Sequence, residues 1–376
     1  MPEPAPVYLD YNATAVVRPE VIEAVSNRMS RVGNASSVHA AGRSARADVE
    51  QARAEVAALV GADAGNVILL SGGTEANNLA LKGFGAQRLI VSATEHGAVL
   101  APALLHDPNA VILPVDEDGL IDLAALERAL AEAPEPALVS VMRANNETGV
   151  LQPIEQIVEL ARRHGALVHC DGVQAAGKIP FDMAALDIDL LSLSAHKIGG
   201  PQGIGALVMR VDRPVRAEIV GGGQELGRRA GTENVAGAVG FGVAALLARD
   251  GLEKYGELAA LRDEMEARIR ALAPECHIFG EGVARLPNTS CLTMPGVKSD
   301  IQVMSFDLEG VQISAGSACS SGKVSASHVL EAMGAEDALS LSAVRISMGW
   351  ATSRADIDRL VEVWQSVYSR LGRKAA

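Results

Sequence analysis

Short apolar runs recur along the first two thirds of the chain and alternate with amphipathic stretches. Continuous apolar runs of this length, bounded by polar turns, are typical of strands that are covered on both faces. Because strands that alternate with helices build a mostly parallel, doubly wound sheet, the pattern predicts that α/β architecture. The predicted strands are Val67–Leu70, Leu89–Val91, Val111–Val115, Leu138–Val141, Leu167–His169, Leu190–Leu193 and Ala206–Met209.

Amphipathic helices are predicted between these strands. Apolar residues at helical spacing predict helices over Arg46–Val60, Leu123–Ala131 and Ile154–His164. Asp122 is the predicted N-cap of the second helix, because a carboxylate can accept hydrogen bonds from the first turn. Gly165 follows the third helix as its C-terminal stop.

The last third of the chain has a different pattern, which predicts a separate α+β domain. The predicted boundary lies near Tyr255, with a large domain over 15–255, a small domain over 256–376 and an N-terminal segment 1–14 that joins them. The elements predicted for this part are a long charged helix over Gly251–Leu272, strands over His277–Phe279 and Thr289–Met294, and helices near His328–Met333 and over Arg354–Leu371.

Composition narrows the class of protein. The 376 residues carry a net charge of −13, which argues against nucleic acid as the main ligand, because phosphate neutralisation needs a basic surface. No apolar run reaches the length of a membrane span, and the N-terminus lacks the pattern of a signal peptide. No membrane association is therefore expected. The four cysteines form no C-x-x-C pair, so free thiols in the cytoplasm are expected.

Polar residues cluster where the predicted strands end. Val67–Leu70 runs into the glycine turn Ser71–Asn77, which opens a helix. The N-terminus of a helix binds anions through its unpaired N–H groups. Ligands of open parallel sheets bind outside the carboxyl ends of the strands, so these side chains are expected to share one site. The other strand ends are followed by Thr94–His96, Asn145–Gly149, Asp171 with Gln174, and Ser194–Lys197.

Each of these residues alone has an ordinary interpretation. A lone Asp at a strand end usually caps a turn, a lone Lys is usually solvated, and Gly72 with Gly73 alone makes only a turn. Five such coincidences at one sheet edge favour a site. Nucleotide-binding fingerprints are absent: Gly316 to Lys323 has the wrong spacing for a P-loop, and Gly240-Phe-Gly242 lies in a predicted helix.

Taken together, these segments resemble the class V aminotransferases, and within that group the cysteine desulfurases that feed iron–sulfur cluster assembly. The similarity runs from Tyr8 to Ser347. It implies a fold-type I pyridoxal-phosphate enzyme, with a seven-stranded large domain, a smaller C-terminal domain and a homodimeric assembly. The motifs that carry it are Ser71–Asn78, Asn145–Gly149, Ser194–Lys197, Gly221–Glu225, Arg229–Asn234 and Ser314–Cys319.

The resemblance also implies a role for each site residue. Lys197 would form the Schiff base with pyridoxal 5'-phosphate, Asp171 would keep the pyridinium nitrogen protonated, and His96 would stack on the ring. Arg345 would clamp the carboxylate of L-cysteine with a two-pronged salt bridge. The remaining predicted contacts are Gln174 to the ring oxygen, Gly73, Thr74, Ser194 and His196 to the phosphate, Thr232 to the phosphate of the other subunit, and Asn12 and Asn146 near the cofactor and substrate.

Cys319 carries the specific function that the resemblance implies. It stands among small residues, with no apolar periodicity around it. As a thiolate it would attack the substrate sulfur, which leaves alanine and a Cys319 persulfide for a sulfur acceptor or an iron–sulfur scaffold protein. No stable metal site is expected, although Cys319 could transiently ligate an iron–sulfur cluster. The other three cysteines, Cys170, Cys276 and Cys291, are interpreted as structural.

Alternative functions stay open at this point. A selenocysteine lyase or an aminotransferase would share the fold, and a non-catalytic scaffold could have kept it. A scaffold is expected to have lost Lys197 or Cys319, and both are present. The acceptor's identity is also open, as is the choice between general cluster assembly, nitrogenase supply and tRNA thiolation.

Overall fold

A computed structural model describes residues 6–210, 214–315 and 327–372. Its largest sheet has seven strands in the order β2-β8-β7-β6-β5-β3-β4, and only β8 is antiparallel to its neighbours. The predicted seven-stranded, mostly parallel α/β fold is therefore confirmed. The strands are β1 (Val7–Tyr8), β2 (Val67–Leu70), β3 (Arg88–Ser92), β4 (Val111–Leu113), β5 (Ala137–Met142), β6 (Leu167–Asp171), β7 (Leu190–Ser194), β8 (Gly205–Met209), β9 (Thr289–Thr293), β10 (Val311–Gln312), β11 (Ser314–Ala315) and β12 (Ala343–Ser347).

Helices cover both faces of the large sheet. Its central strands are buried along their whole length, because α3 and α4 pack on one face while α2, α5, α6 and α7 pack on the other. This explains why the strands are apolar without alternation. The helices are α1 (Pro19–Met29), α2 (Ala40–Leu59), α3 (Gly73–Lys82), α4 (Gly97–His106), α5 (Leu123–Glu132), α6 (Ile154–Arg163), α7 (Val235–Asp250), α8 (Leu252–Gly256), α9 (Leu258–Leu272), α10 (Ser299–Leu308), α11 (His328–Ala332), α12 (Asp337–Ser340) and α13 (Arg354–Leu371).

Local signals set several helix ends as predicted. The Asp122 carboxylate accepts hydrogen bonds from the backbone N–H groups of Ala124 and Ala125, at 2.8 and 2.9 Å, and so caps α5. The helix over Arg354–Leu371 has the predicted bounds, and a capping box between Ser353 and Asp356 starts it.

Three predicted elements are wrong in part. The long helix expected over Gly251–Leu272 is formed by α8 and α9, which the single residue Glu257 separates; a 70° bend before it sets it apart from α7. The strand expected over Val111–Val115 ends at Leu113, and the strand expected over His277–Phe279 is a single bridge between Ile278 and Leu292. The first segment still forms a three-residue ladder with β3, whereas the second is too short to form one.

A second core lies in the last third of the chain. A three-stranded sheet of β11, β12 and β9 packs against α9, α10 and α13 around the fully buried Trp364. The N-terminal segment joins this core through Leu9, and β1 pairs with β10. The division into two domains near Tyr255 stays a prediction.

No single helix among the described residues is both long and apolar enough to cross a bilayer. Only α7 taken together with α8 and α9, across the 70° bend, meets the length and composition requirement.

Candidate active site

The carboxyl ends of five strands converge on a cavity of about 300 Å³. The ends belong to β2, β3, β5, β6 and β7, which run in the same direction and therefore finish at one edge of the sheet. All but two of the predicted site residues line this cavity. They are Asn12, Gly73, Thr74, His96, Asn146, Asp171, Gln174, Ser194, His196, Lys197 and Arg345.

One end of the cavity is built to hold an anion. The helix α3 begins there at Gly73, and the N–H groups of its first turn have no partner within the helix. Gly73 has no room for a side chain, because a Cβ would lie 2.8 Å from Cγ2 of Val173. Burial, followed by Lys197 and Lys178, lowers the pKa of His196 to about 4, so its imidazole is neutral near pH 7.

Asp171 supplies a carboxylate in the cavity wall. It is the last residue of β6 and is only 7% exposed. Its Oδ2 accepts a hydrogen bond from Asn77 Nδ2 at 2.7 Å, and its Oδ1 accepts one from the Val173 N–H at 3.0 Å. These two donors fix the orientation of the carboxylate. A carboxylate held in this way suits a protonated ring nitrogen opposite it.

Lys197 contacts the N-terminal segment of the chain, which enters the cavity. It ends a short 3₁₀ turn after β7, and its Nζ donates to the backbone carbonyls of Asn12 and Ala13, the latter at 2.9 Å. The Asn12 side chain is anchored in turn, because its Nδ2 donates to Thr289 Oγ1 at 2.9 Å. Segments from both ends of the chain thus hold the amine of Lys197 in the cavity.

His96 joins the cavity as the N-cap of α4. Its Nδ1 accepts a hydrogen bond from the Ala98 N–H at 3.0 Å, which leaves the proton of the neutral ring on Nε2. Burial lowers the pKa of His96, the charge of Asp171 raises it, and Lys197 lowers it again. The ring is therefore neutral near pH 7 and can lie against an aromatic ligand without a charge of its own.

Arg345 reaches the cavity from the second core. It lies on β12, where its Nη2 bonds Asp10 Oδ1 at 2.7 Å and its Nη1 donates to the Asn146 carbonyl at 3.1 Å. Its Nε is buried and has no hydrogen-bond partner among the described residues. The predicted proximity of Asn146 and Arg345 is observed, but the contact is made by the Asn146 backbone.

Two predicted site residues lie elsewhere. Thr232 lines a separate pocket of about 210 Å³ together with Ser71 and Arg229, so it does not reach the cavity of its own chain. Cys319 lies outside the described residues. Among the described residues, no three His, Cys, Asp or Glu side chains are grouped so that they could hold a metal ion.

Three further residues touch the site and were not predicted from the sequence. Asn77 holds Asp171, Asp10 pairs with Arg345, and Lys178 donates to both Asn12 and Gln174. The available signals were weak ones. Asn77 stands in the helix after the glycine turn, and Lys178 follows Gln174 at the i, i+4 spacing that puts two side chains on one helical face.

The family of the chain is shown by a match that covers nearly all of its length. Residues 7–360 match the family model described as aminotransferase class V. The chain belongs to this family. Its members use pyridoxal phosphate as their cofactor, so the predicted enzyme class and cofactor are confirmed.

The most similar relatives narrow the class further. A cysteine desulfurase from Cereibacter sphaeroides is 43% identical over 97% of this chain and 96% of its own length. The cysteine desulfurase IscS of Dictyoglomus turgidum is 38% identical over 97% and 95%. Among solved structures, a NifS-like protein from Rickettsia africae aligns with a TM-score of 0.90 and 35% identity over 97% and 99% of the two chains. The protein SspA in complex with cysteine aligns with a TM-score of 0.78 and 32% identity over 91% and 98%.

The residues of the cavity fit pyridoxal phosphate. The unpaired N–H groups at the start of α3 suit its phosphate, and the tight packing at Gly73 lets the backbone approach it. The fixed carboxylate of Asp171 suits its ring nitrogen, and the amine of Lys197 lies in the same cavity.

Proposed function

We propose that this protein is a cysteine desulfurase that moves sulfur from L-cysteine to Cys319. Its products are L-alanine and a Cys319 persulfide. The observation that carries the proposal is the convergence of Asp171, Lys197 and Arg345 on one cavity, in a chain whose relatives are named cysteine desulfurases.

The proposed cofactor contacts are supported by the cavity, which these residues line together. Gly73, Thr74, Ser194 and His196 would hold the phosphate, Asp171 would face the ring nitrogen, and His96 would lie against the ring. Bound pyridoxal phosphate supplies an electron sink for the carbon that loses its proton. Lys197 carries the cofactor, and its amine takes and returns protons at the substrate's α-carbon. Gln174 donates to the ring oxygen.

Arg345 is proposed to bind the substrate carboxylate. Its guanidinium is 4% exposed, so an ion pair formed there is shielded from water. The buried Nε without a described partner provides one donor. Asn146, whose carbonyl accepts from Arg345, and Asn12, whose carbonyl accepts from Lys197, complete the substrate end of the cavity.

The three described cysteines are poorly suited to attack sulfur. Cys170, Cys276 and Cys291 are all buried, and burial raises the pKa of each thiol, to about 11 for Cys276. A thiol that stays protonated near pH 7 is a weak nucleophile. The sequence has four cysteines, so Cys319 is the remaining candidate.

The described residues that flank the segment 316–326, which contains Cys319, lie beside the cavity on both sides. On one side, Ser314 pairs with Arg345 in the small sheet. On the other side, Ser327 Oγ donates to Glu147 Oε2 at 2.6 Å, and His328 Nε2 lies 2.9 Å from the carbonyl of Glu95, the residue before His96. These anchors support a role for Cys319 at this site.

The proposed sulfur transfer is balanced without an external oxidant. A bond forms between the Cys319 sulfur and the substrate sulfur, and the carbon–sulfur bond of the substrate breaks. The bonding electron pair stays on the β-carbon, which gains a proton and becomes the methyl group of alanine. The substrate carbon is reduced, and the Cys319 thiol is oxidised to the persulfide.

We further propose that the enzyme is a homodimer with Thr232 completing the partner's phosphate site. Thr232 does not line the cavity of its own chain, and a dimer would give it a role. The persulfide would pass to a sulfur acceptor or a scaffold protein for iron–sulfur cluster assembly. The cytoplasm is the proposed location, because the described cysteines are free thiols.

The test of this function is a single turnover with isotopically labelled L-cysteine. We expect equal amounts of labelled alanine and of protein-bound sulfur in the parent enzyme. The variant Lys197→Ala should form neither product. Pyruvate and ammonia in place of alanine would contradict the proposal and indicate a β-elimination lyase. Selenocysteine as a competing substrate, with its rate measured in parallel, tests the selenocysteine lyase alternative.

A further inference from the structure

Lys178 is a buried amine directly behind the cavity. It is only 2% exposed, whereas a lysine in a turn between a strand and the next element normally reaches the solvent. Its Nζ donates to Gln174 Oε1 at 2.6 Å and to Asn12 Oδ1 at 2.9 Å. The side chain therefore ends on two amides of the active site.

The backbone around Lys178 is shaped to bring it inward. Residues 172–179 form a helix-like turn, in which Gln174 and Lys178 are four residues apart and share a face. The preceding Gly177 has a φ of +72°, and a Cβ there would lie 2.8 Å from Cβ of Ala248 on α7. Only glycine fits this position, so the turn packs closely against the helix behind it.

The surroundings of Lys178 disfavour a charged amine, so the residue is not there only to fill space. The charged groups that act on its Nζ, Lys197 and Arg345, are both cationic. Burial, followed by these two groups, holds the pKa of Lys178 well below its usual value. An apolar side chain of similar length would fill the space at lower cost. A lysine at this position therefore indicates a need for its hydrogen bonds.

Those hydrogen bonds lead to Lys197 in two steps. Because Lys178 Nζ donates to Gln174 Oε1, it holds the oxygen of that amide inward and turns the NH₂ group the other way. That NH₂ group donates to the Asn12 carbonyl at 3.0 Å, and the same carbonyl accepts the hydrogen bond of Lys197 Nζ. The Asn12 side chain is likewise oriented by Lys178 and by Asn288 Nδ2 at 3.2 Å.

We propose that Lys178 is a positioning residue that fixes the amides of Gln174 and Asn12 and through them the cofactor-bearing amine of Lys197. The proposal rests on the proposed function, because it assigns Lys178 to the same site. Without Lys178 the Gln174 amide can rotate, and it then turns an oxygen instead of a donor towards the ring oxygen of the cofactor. Lys178 itself touches neither cofactor nor substrate.

The primary test compares the absorption spectra of purified holoenzymes. In Lys178→Met, which keeps the length of the side chain and removes its donors, we expect a changed ratio of the two absorption bands of bound pyridoxal phosphate and a changed pH dependence of that ratio. Lys254→Met, at an exposed lysine of α8, is the matched control and should keep the parental spectrum. If Lys178→Met folds poorly, Lys178→Gln, which keeps one donor, is measured in its place.

Kinetics and a double variant separate positioning from simple structural support. We expect kcat to fall about tenfold in Lys178→Met, as for the loss of a buried hydrogen-bond donor, with KM for L-cysteine within about twofold because the Arg345 contacts remain. In the double variant Lys178→Met with Gln174→Ala, the fold-decrease in kcat should be clearly smaller than the product of the fold-decreases in the two single variants.

Three outcomes would overturn the proposal: a parental spectrum and kcat in folded Lys178→Met, full multiplicative effects in the double variant, or lower thermal stability as the only change. A failure of the proposed function is distinguishable from these, because it would appear in the parent enzyme as a normal cofactor spectrum without alanine formation.

Discussion

At the scale of single residues, the account depends on how each polar group is held. The Asp171 carboxylate is held in place by two donors, Asn77 Nδ2 and the Val173 N–H, one on each oxygen. Lys197 ends on two backbone carbonyls of the N-terminal segment. Each of these contacts joins residues that are distant in the sequence, so the site exists only in the folded chain.

The role of Asp171 gives the first prediction. Asp171→Asn keeps the shape of the side chain and the cofactor, but removes the charge that favours a protonated ring nitrogen. We expect turnover of L-cysteine to fall by at least about a hundredfold, the usual cost of removing one electrostatic contact to the reacting group. Asp122→Asn makes the same chemical change at the cap of α5, where asparagine caps equally well, and should leave turnover unchanged. Equal turnover in the two variants would exclude the proposed role.

Residues at this scale were predictable when they stood directly after a strand. Lys197 follows β7 and Asp171 ends β6. Because ligands bind at the carboxyl ends of parallel strands, the sequence alone predicts that these two residues lie together. Lys178 and Asn77 were missed because their partners are determined by packing. A lysine after a glycine is solvated in most proteins, and only its burial reveals the contacts to Gln174 and Asn12.

At the scale of elements, the start of α3 is the feature that the cofactor phosphate requires. Gly73→Ala would place a methyl group 2.8 Å from Cγ2 of Val173, so the first turn or the Val173 side chain must shift. Overpacking of this kind costs about 1–3 kcal/mol, and we expect the affinity for pyridoxal phosphate to fall about tenfold.

The matched control for that variant is Gly256→Ala in α8, where nothing lies within 4 Å of an added Cβ. It should bind the cofactor as the parent does. Fluorescence titration of the cofactor-free proteins measures both. Unchanged affinity in Gly73→Ala would mean that the phosphate binds away from the start of α3.

A histidine inside the large sheet gives a prediction about pH. His169 on β6 is fully buried between Ser140 Oγ at 2.8 Å and Ser192 Oγ at 2.9 Å, and burial lowers its pKa to about 3. The unfolded chain takes up this proton near pH 6.5 and the folded chain does not. The contribution to stability is therefore complete above about pH 6.5 and is lost as the pH falls towards 3, by about 1.4 kcal/mol per pH unit.

Thermal unfolding between pH 6.5 and pH 4.5 tests this prediction. The midpoint of the parent should fall on acidification, and His169→Gln should show a shallower slope. His106→Gln, at an exposed histidine, should keep the parental slope. A parental slope in His169→Gln would mean that the buried imidazole does not govern the acid response.

The elements themselves were predicted best where burial was uniform. The seven sheet strands were found from apolar runs, because strands covered on both faces have few polar positions. The helix over Gly251–Leu272 was predicted as one element, and α8 and α9 form it with a one-residue interruption at Glu257 that no local pattern reveals. The bridge at Ile278 has an apolar sequence but only one partner residue, which no local pattern reveals.

At the scale of the whole molecule, the site lies between two cores. Asp171 and Lys197 belong to the large sheet, Arg345 belongs to the small one, and the N-terminal segment with Asn12 connects them. The family resemblance predicted that Arg345 shares a site with Asp171 and Lys197, whereas the periodicity of the sequence predicted only the sheet. A homodimer would add Thr232 as a third contribution.

Mixed dimers test the shared site. Lys197→Ala removes the cofactor-bearing amine, and Thr232→Glu places a like charge beside the phosphate, so each variant alone should be nearly inactive. If Thr232 acts across the interface, a mixed dimer contains one intact site. Mixing the variants with subunit exchange should then restore about a quarter of the parental activity. No recovery, despite mixed dimers detected by mass, would contradict the shared site.

The most direct measurement of the central claim is mass spectrometry of the protein after brief exposure to L-cysteine. We predict one added sulfur atom in the parent, mapped by digestion to Cys319. Cys319→Ala should bind the same amount of pyridoxal phosphate, gain no sulfur and release almost no sulfide, while Cys276→Ala should match the parent. An added sulfur on Cys170, Cys276 or Cys291, or normal desulfuration by Cys319→Ala, would contradict the account.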